Sequence, residues 1–213
     1  GRVMKISEQV VLVTGGARGV GAATVRAFAL EGARVVINWR NSADAAQGLA
    51  DELGDRVIAL QADVTDRASV EAMLAAAQNH FGAPVTTVVN NALDYSFNGD
   101  ARSQMETIGW DEFASQFDTV IKGALNVIQA AAPAMKAQGF GRVINIGTNL
   151  VQNPVVPYHD YTAAKAALMS LTRTAAGDLG PLGITVNMVS GGLLRTTDAS
   201  AATPEAVFDY IAA

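Results

Sequence analysis

The fold is decided by the stretch Thr14-Gly15-Gly16-Ala17-Arg18-Gly19-Val20-Gly21, which joins an apolar run to a helical pattern. The apolar run is Gln9–Thr14, and helical periodicity follows over about Gly19–Glu31. Glycines permit the positive φ of a tight turn and let backbone N–H groups approach a ligand. A helix N-terminus adds partial positive charge, so strand, turn and helix together predict a phosphate site. In isolation, such glycines could equally serve only to connect strand and helix.

Outward from this stretch, short β-branched runs alternate with longer Ala-rich segments, which is typical of βαβ units. The predicted strands are Gln9–Thr14, Arg34–Asn38, Arg56–Gln61, Val85–Asn90, Arg142–Ile146 and Thr185–Val189. The predicted helices are Gly19–Glu31, Ala43–Leu53, Asp66–Phe81, Trp110–Lys136 and Tyr158–Leu179, with a last one from near Pro204. Nearly continuous apolar strands suit a sheet that is buried on both faces. We therefore expect an α/β fold: one doubly wound, Rossmann-type, mostly parallel sheet with helices on both faces.

Length and composition predict one globular domain over residues 1–213, with 50% hydrophobic and 16% charged positions. Gly1, Arg2 and Val3 precede Met4 and are interpreted as a remnant of expression. No uninterrupted apolar run approaches the roughly 18 residues that a bilayer span needs, so we expect no membrane segment.

The charge balance and the absence of cysteine exclude further classes of protein and kinds of site. The formal net charge is −5 without a basic stripe, so we expect no electrostatic binding of nucleic acid. With no cysteine, disulfide scaffolds and thiolate metal sites are excluded, and no metal site is predicted. The sequence has no recognisable signal peptide, which predicts a cytoplasmic protein.

A tyrosine and a lysine stand four residues apart at the start of the fifth predicted helix, and therefore share one face. They are Tyr161 and Lys165, and Thr148 precedes Tyr161 by thirteen residues. A tyrosine with its ordinary pKa near ~10 is a poor proton shuttle until a cation stabilises the phenolate. Lys165 can supply that cation, which indicates acid–base chemistry. The alternative is a half-buried tyrosine beside a surface lysine on an amphipathic helix.

Taken together, these motifs resemble the short-chain dehydrogenase/reductase family over nearly the whole chain. In that family T-G-x3-G-x-G holds the pyrophosphate of NAD or NADP, and Tyr-x3-Lys follows a hydroxyl residue. The resemblance implies that Thr148, Tyr161 and Lys165 are catalytic: Thr148 holds the substrate oxygen, Tyr161 protonates it, and Lys165 also bonds the nicotinamide ribose. The sequence looks most like bacterial 3-oxoacyl-acyl-carrier-protein reductases.

The end of the second strand favours NADP over NAD. The segment Asn38-Trp39-Arg40 lacks the acid that would accept hydrogen bonds from a ribose 2′-OH and repel a 2′-phosphate. Arg40 and Arg18 can make charge-assisted bonds to that phosphate, unless both are simply solvated. The predicted cofactor-binding residues are Thr14, Gly15, Arg18, Gly19, Val20, Gly21, Asn38, Trp39, Arg40, Asp63, Val64, Asn90, Asn91, Ala92, Tyr161, Lys165, Gly191, Gly192, Leu194 and Thr196. The resemblance implies that Asp63 contacts the adenine amino group; alone, it would be an acid preceding a helix.

Four positions depart from the family pattern: Thr148 stands for Ser, Leu93 for Gly, Gly191 for Pro and Val120 for Asn. In the family, that Asn relaxes the helix and helps to hold a water linked to the catalytic lysine. The β-branch of Val120 predicts a regular helix and a weakened proton relay. Alternatively, a backbone carbonyl still holds the water and the valine only packs.

The segment Ala92–Gly109, which contains Tyr95 and Phe97, follows the fourth strand and is predicted to form a wall of the site. Tyr158 is predicted to be another wall residue, while His159 receives no role. The resemblance implies that a helix over Pro204–Ala213 contributes to a substrate lid. It also implies that a final helix and edge strand of the family are missing.

The resulting hypothesis is an NADPH-dependent reductase of a carbonyl substrate, a 3-oxoacyl thioester or similar small ketone. The family resemblance implies a homo-oligomer, either a dimer or a tetramer. The competing hypothesis is a dinucleotide-binding protein with weak or no reductase activity, acting as a sensor or oligomer partner. Consumption of NADPH with a panel of ketones discriminates between them.

Overall fold

A six-stranded parallel sheet with the order β3-β2-β1-β4-β5-β6 organises the protein in a computed structural model that describes residues 3–189. The strands are β1 (Val10–Val13), β2 (Arg34–Trp39), β3 (Val57–Gln61), β4 (Thr87–Asn90), β5 (Gly141–Ile146) and β6 (Ile184–Val189). Every neighbouring pair is parallel. The predicted doubly wound α/β fold is confirmed, and all six strands form where the apolar runs predicted them.

Within residues 3–189, six α-helices accompany the strands: α1 (Gly19–Leu30), α2 (Ala43–Leu53), α3 (Arg67–Phe81), α4 (Trp110–Phe117), α5 (Gly123–Gln138) and α6 (His159–Leu179). Capping residues explain where some of these helices begin and end, as α3 illustrates. The Asp66 side chain accepts a 3.1 Å hydrogen bond from the N–H of Ala68 at the start of α3. At the other end, Gly82 has φ +70°, a left-handed conformation that ends the helix.

The central strand β1 is buried on both sides. Val10 and Leu12 belong to the hydrophobic core shared with α3 and α5. Val11 and Val13 belong to the core shared with α1 and α2. This two-sided burial explains why the strand sequences are continuously apolar rather than alternating.

The chain crosses from β3 back to β4, which lies on the opposite side of β1 from β2. A crevice therefore opens beyond the carboxyl ends of β1 and β4, where doubly wound folds bind ligands. The glycine turn leaves β1 at this point, and the segment with Tyr95 and Phe97 leaves β4.

The prediction of one regular helix over Trp110–Lys136 is wrong at one place. A π-helical segment, Asp118–Lys122, separates α4 from α5 and contains Val120. The N–H of Gly123 donates to the carbonyl of Asp118, five residues earlier. The β-branched Val120 therefore does not keep the helix regular. Directly after this segment, Gly123 lies so close to Val64 that a Cβ would stand 2.8 Å from the Val64 side chain.

Several predictions lie outside the described residues: the cofactor contacts of Gly191, Gly192, Leu194 and Thr196, and the helix and lid near Pro204. Within residues 3–189, no helix has the length and hydropathy needed to cross a bilayer.

Candidate active site

The glycine turn after β1 is compact because its glycines take positions that other residues cannot. Gly19 has φ +54°, and no other atom lies within 4 Å of a Cβ built on it, so the space above the start of α1 is open. A Cβ on Gly21 would collide with the carbonyl oxygen of Gly15. The turn therefore presents backbone and a helix N-terminus to the crevice, as a phosphate site requires.

Three polar side chains, of which Thr14 and Asn38 are buried, hold this turn against the neighbouring strands. Thr14 Oγ1 accepts hydrogen bonds of 2.9 and 3.0 Å from the N–H groups of Asn91 and Ala92. Asn38 Oδ1 accepts from the N–H of Gly15 at 3.2 Å, and Asn91 Nδ2 donates to the carbonyl of Gly15 at 3.1 Å. These predicted cofactor-binding residues thus use their side chains to shape the turn.

A cleft beside the turn, here called the nucleotide cleft, collects much of the predicted cofactor set. It is lined by Gly15, Arg18, Asn38, Trp39, Arg40, Asp63, Val64 and Ala92 of that set. Its empty volume, including open solvent, is about 810 Å³. Arg18 and Arg40 line the same cleft, so the two predicted cations are brought together.

Asp63 places a negative charge in the nucleotide cleft. Its carboxylate accepts hydrogen bonds of 2.9 Å from the N–H and 2.7 Å from the hydroxyl of Thr65, and Arg40 Nε lies 3.9 Å away. The bonds from Thr65, assisted by the charge of Arg40, hold the pKa of the Asp63 carboxyl below its ordinary value. Asp63 therefore stays ionised beside Arg40, and its negative charge partly offsets the positive charge of Arg40.

A second cleft, the tyrosine cleft, continues on the other side of the turn. It is lined by Gly15, Arg18, Gly19, Val20, Asn91, Leu93, Phe97, Ile146, Tyr161 and Lys165. Gly15, Arg18 and Leu93 line both clefts. The glycine turn and the Tyr161–Lys165 pair, distant in sequence, thus face one continuous crevice.

Tyr161, Lys165 and Thr148 meet beneath this crevice, with 5%, 3% and 5% of their surfaces exposed. Lys165 Nζ donates a 2.7 Å hydrogen bond to the carbonyl of Ile146 and lies 5.9 Å from the Tyr161 ring centroid. Thr148 Oγ1 accepts from the N–H of Leu150 at 3.2 Å.

Burial dominates the ionisation of both groups. It raises the pKa of the Tyr161 phenol, and a hydrogen bond with Thr148 acts in the opposite direction. Burial lowers the pKa of Lys165 to about 8. Burial thus holds Tyr161 in its protonated form, which suits a proton donor. That Lys165 stabilises the phenolate stays a prediction.

A small enclosed space, the lysine cavity, lies behind Lys165. Its lining includes Thr14, Asn90, Thr119, Val120 and Lys165, and it has room for about one water. The Val120 side chain packs with Ala164, Leu168 and Ala124. Val120, which departs from the family pattern, therefore lines the same cavity as Lys165.

Two features of the site were not recognised from the sequence. Asp160, 6% exposed at the start of α6, accepts a 3.2 Å hydrogen bond from the Tyr95 hydroxyl. Asn145, on β5, accepts from Asn90 Nδ2 at 2.9 Å and donates to Thr172 at 3.0 Å. The only sequence signal for Asp160 was its place directly before Tyr161.

Comparison with known proteins gives matches over most of the chain. A family model described as short chain dehydrogenase matches residues 9–207. The 3-oxoacyl-[acyl-carrier-protein] reductase FabG of Staphylococcus aureus is 35% identical over 200 residues, which are 90% of this chain and 76% of the relative. An NADPH-dependent aldehyde reductase-like chloroplastic protein of Arabidopsis thaliana is 32% identical over 207 residues, 91% of this chain and 75% of the relative.

A solved structure is equally similar. A blue fluorescent protein from a metagenomic library, in complex with NADPH, superposes with a TM-score of 0.77 and 34% identity. The match covers 88% of this chain and 75% of the other.

Proposed function

The chain belongs to the short-chain dehydrogenase family of oxidoreductases, and on that premise we propose that it reduces a carbonyl group to an alcohol at the expense of NADPH. The observation that carries the proposal is the shared crevice, in which Tyr161 and Lys165 face the glycine turn. The proposed substrate is a 3-oxoacyl thioester or a similar small ketone.

The cofactor proposal rests on the fit of the turn and the charges around it. Gly21 leaves no room for a side chain, and the space above Gly19 is open, so backbone N–H groups can approach a pyrophosphate. Arg18 and Arg40 border the nucleotide cleft, where they would bind a 2′-phosphate. The similarity to a solved NADPH complex and to a protein named as an NADPH-dependent reductase supports the same choice.

In the proposed mechanism, the bound nicotinamide supplies a hydride to the carbonyl carbon. Thr148 donates a hydrogen bond to the carbonyl oxygen and orients it. Tyr161, kept protonated by burial, transfers its phenolic proton to that oxygen, so that hydride and proton together complete the alcohol. Lys165 then stabilises the tyrosinate, and a water in the lysine cavity can return the proton.

The thioester part of the proposal rests on the similarity to relatives named 3-oxoacyl-[acyl-carrier-protein] reductase. At 35% identity, fold and catalytic residues do not determine the substrate, which depends on the walls of the site. We therefore keep the small ketone and the thioester as one proposed class that shares the reacting carbonyl.

A dinucleotide-binding protein with weak or no reductase activity is the second candidate. Two observations favour it: Lys165 bonds the carbonyl of Ile146, and Val120 offers no polar side chain to the lysine cavity. Slow return of the proton would then limit turnover while cofactor binding remained ordinary.

NADPH consumption by the purified protein tests the proposed function. The panel contains an acetoacetyl thioester, a small diketone and a simple ketone, with Tyr161→Phe as the matched control. We expect consumption that depends on both the ketone and Tyr161. Tight NADPH binding without consumption on any substrate would support the second candidate instead.

We also propose that the protein forms a dimer or tetramer and acts in the cytoplasm. Trp110 on α4 is 76% exposed and stacks on Phe113 at 5.9 Å between ring centroids, an apolar surface that a second copy could cover. Light scattering tests the assembly, and a monomer at micromolar concentration would contradict it.

A further inference from the structure

The segment between β4 and α4 places two aromatic rings at the reacting end of the site. We call Tyr95 and Phe97 the aromatic wall. Phe97 lines the tyrosine cleft with Tyr161 and Lys165, yet 53% of its surface is exposed. A large apolar side chain that is half exposed inside a functional cleft indicates a contact surface for a ligand.

The aromatic wall packs directly against Tyr161. The Phe97 ring meets the Tyr161 ring edge-on, with centroids 5.0 Å apart and an interplanar angle of 87°. The Tyr95 ring stacks on Tyr161 at 5.2 Å and 19°. Tyr95 and Phe97 also contact each other at 5.1 Å. The three rings restrain one another, so a ligand that reaches the Tyr161 hydroxyl from the tyrosine cleft lies next to Phe97.

One hydrogen bond attaches the aromatic wall to α6, and a second joins the segment that follows the wall to the residue preceding α6. The Tyr95 hydroxyl donates to Asp160 Oδ1 at 3.2 Å, and Asp160 is buried. The Tyr158 hydroxyl accepts from the N–H of Gly99 at 3.0 Å. Asp160 directly precedes Tyr161, so the bond from Tyr95 links the position of the wall to that of the proposed proton donor.

From this geometry we propose that the aromatic wall makes the protein select ketones that carry a planar aromatic ring beside the carbonyl. The inference rests on the proposed carbonyl reduction and specifies its substrate class. The aromatic ring can belong to a thioester or to a simple ketone. The Phe97 ring offers its solvent-exposed surface to that ring, and Tyr95 keeps Phe97 in place through Asp160. Ring-to-ring contact adds to simple burial of apolar area, which corresponds to about two- to tenfold in affinity per pair.

Matched substrates separate ring-to-ring contact from size. Acetophenone and cyclohexyl methyl ketone carry six-membered rings of similar volume, but only the first is planar and aromatic. We expect the wild-type kcat/KM to favour acetophenone by about tenfold or less. Phe97→Leu should remove most of that preference, chiefly through KM. Phe113→Leu makes the same change on a stacked ring outside the cleft and should leave the preference unchanged.

The attachment to α6 is tested by Tyr95→Phe, which keeps the ring and removes the hydroxyl. We expect a higher KM for acetophenone and a smaller preference for acetophenone over cyclohexyl methyl ketone. The kcat should change by less than about threefold. Asp160→Ala should resemble Tyr95→Phe, and the double variant should add little to either. A general folding defect would instead lower the melting temperature and kcat for both ketones.

A binding measurement keeps this inference separate from the proposed function. Calorimetry of the NADP-loaded protein with 1-phenylethanol and 1-cyclohexylethanol does not require turnover. Tighter binding of the phenyl alcohol, lost in Phe97→Leu, would support the aromatic wall even if no ketone were reduced. Equal binding of the two alcohols, or a preference that survives Phe97→Leu, would overturn it.

Discussion

Lys165 donates a 2.7 Å hydrogen bond to the carbonyl of Ile146, the last residue of β5. The bond fixes a buried ammonium group at the carboxyl end of the sheet, where only a few polar partners replace water. This burial lowers the pKa of Lys165 to about 8. The position of one lysine therefore affects both the stability of the fold and the chemistry of the crevice.

The first prediction concerns the dependence of stability on pH. Between the folded pKa of about 8 and the ordinary value of 10.5, the unfolded chain binds more protons at Lys165 than the folded chain. The free energy of unfolding should therefore rise with pH across this window, by on the order of 3 kcal/mol from this group. Below pH 8 the contribution is constant, because the lysine is protonated in both states.

Chemical denaturation at several pH values between 7 and 11 checks this sign. Lys165→Met should flatten the rise, whereas Lys136→Met, at an exposed lysine on α5, should leave it intact. The opposite result would be a free energy of unfolding that falls over this window in the wild-type protein and no longer falls in Lys165→Met. That result would show that folding does not lower the pKa of Lys165.

The second prediction concerns the choice of cofactor. Arg40→Ala should weaken NADPH binding by about 1–3 kcal/mol, with little effect on NADH, because only NADPH carries the 2′-phosphate. Arg67→Ala removes a partly exposed arginine that pairs with Glu71 on α3, and this variant serves as the control. Fluorescence titration with both cofactors gives the affinities, and a wild-type preference for NADH would contradict the prediction.

The third prediction concerns Thr148. Thr148→Ser should be nearly neutral in kcat/KM, because both side chains offer one hydroxyl. Thr148→Val should lower kcat/KM by roughly a hundredfold, as about 3 kcal/mol of orientation and hydrogen bonding is lost. Since Thr148 also accepts from the N–H of Leu150, the melting temperature should fall in the Val variant. A valine variant with full activity would remove Thr148 from the mechanism.

The fourth prediction concerns Val120. If return of the proton limits turnover, Val120→Asn should raise kcat by roughly tenfold, equivalent to ~1.4 kcal/mol of barrier. The same change buries a polar group among Ala124, Ala164 and Leu168 and should lower the free energy of unfolding by about 1–3 kcal/mol. Val120→Ala lacks the polar group and controls for altered packing. An unchanged kcat in the Asn variant would show that the relay does not depend on this side chain.

The fold was largely predictable from the sequence because a parallel sheet buried on both faces leaves a simple signal. The continuous apolar runs predicted all six strands, and the limits of α2 (Ala43–Leu53) agree with the structure. The π-helical segment Asp118–Lys122 was not predicted, because apolar periodicity does not distinguish it from a regular helix. Local β-branching at Val120 favoured the regular helix instead.

The candidate site was predictable where short motifs carry it and not where distant side chains meet. The glycine turn and Tyr161–Lys165 were found from spacing, and the structure brings them to one crevice. The bond between Tyr95 and Asp160 spans 65 residues and has no local signal. Likewise, the bond from the N–H of Gly15 to the Asn38 side chain has no local signal in the sequence. That Asn38 binds the cofactor stays a prediction. The roles of Thr148, Tyr161 and Lys165 stay predictions.

The most direct test of the account follows a label from NADPH to product. With NADPH deuterated at the transferred position of the nicotinamide, wild-type protein should deliver deuterium to the carbinol carbon of the alcohol, as mass spectrometry would detect. Tyr161→Phe should bind NADPH with nearly unchanged affinity and yield no labelled alcohol, because the proton donor is missing. Absence of labelled alcohol from the wild-type protein with every ketone, or equal labelling by Tyr161→Phe, would contradict the proposed reduction.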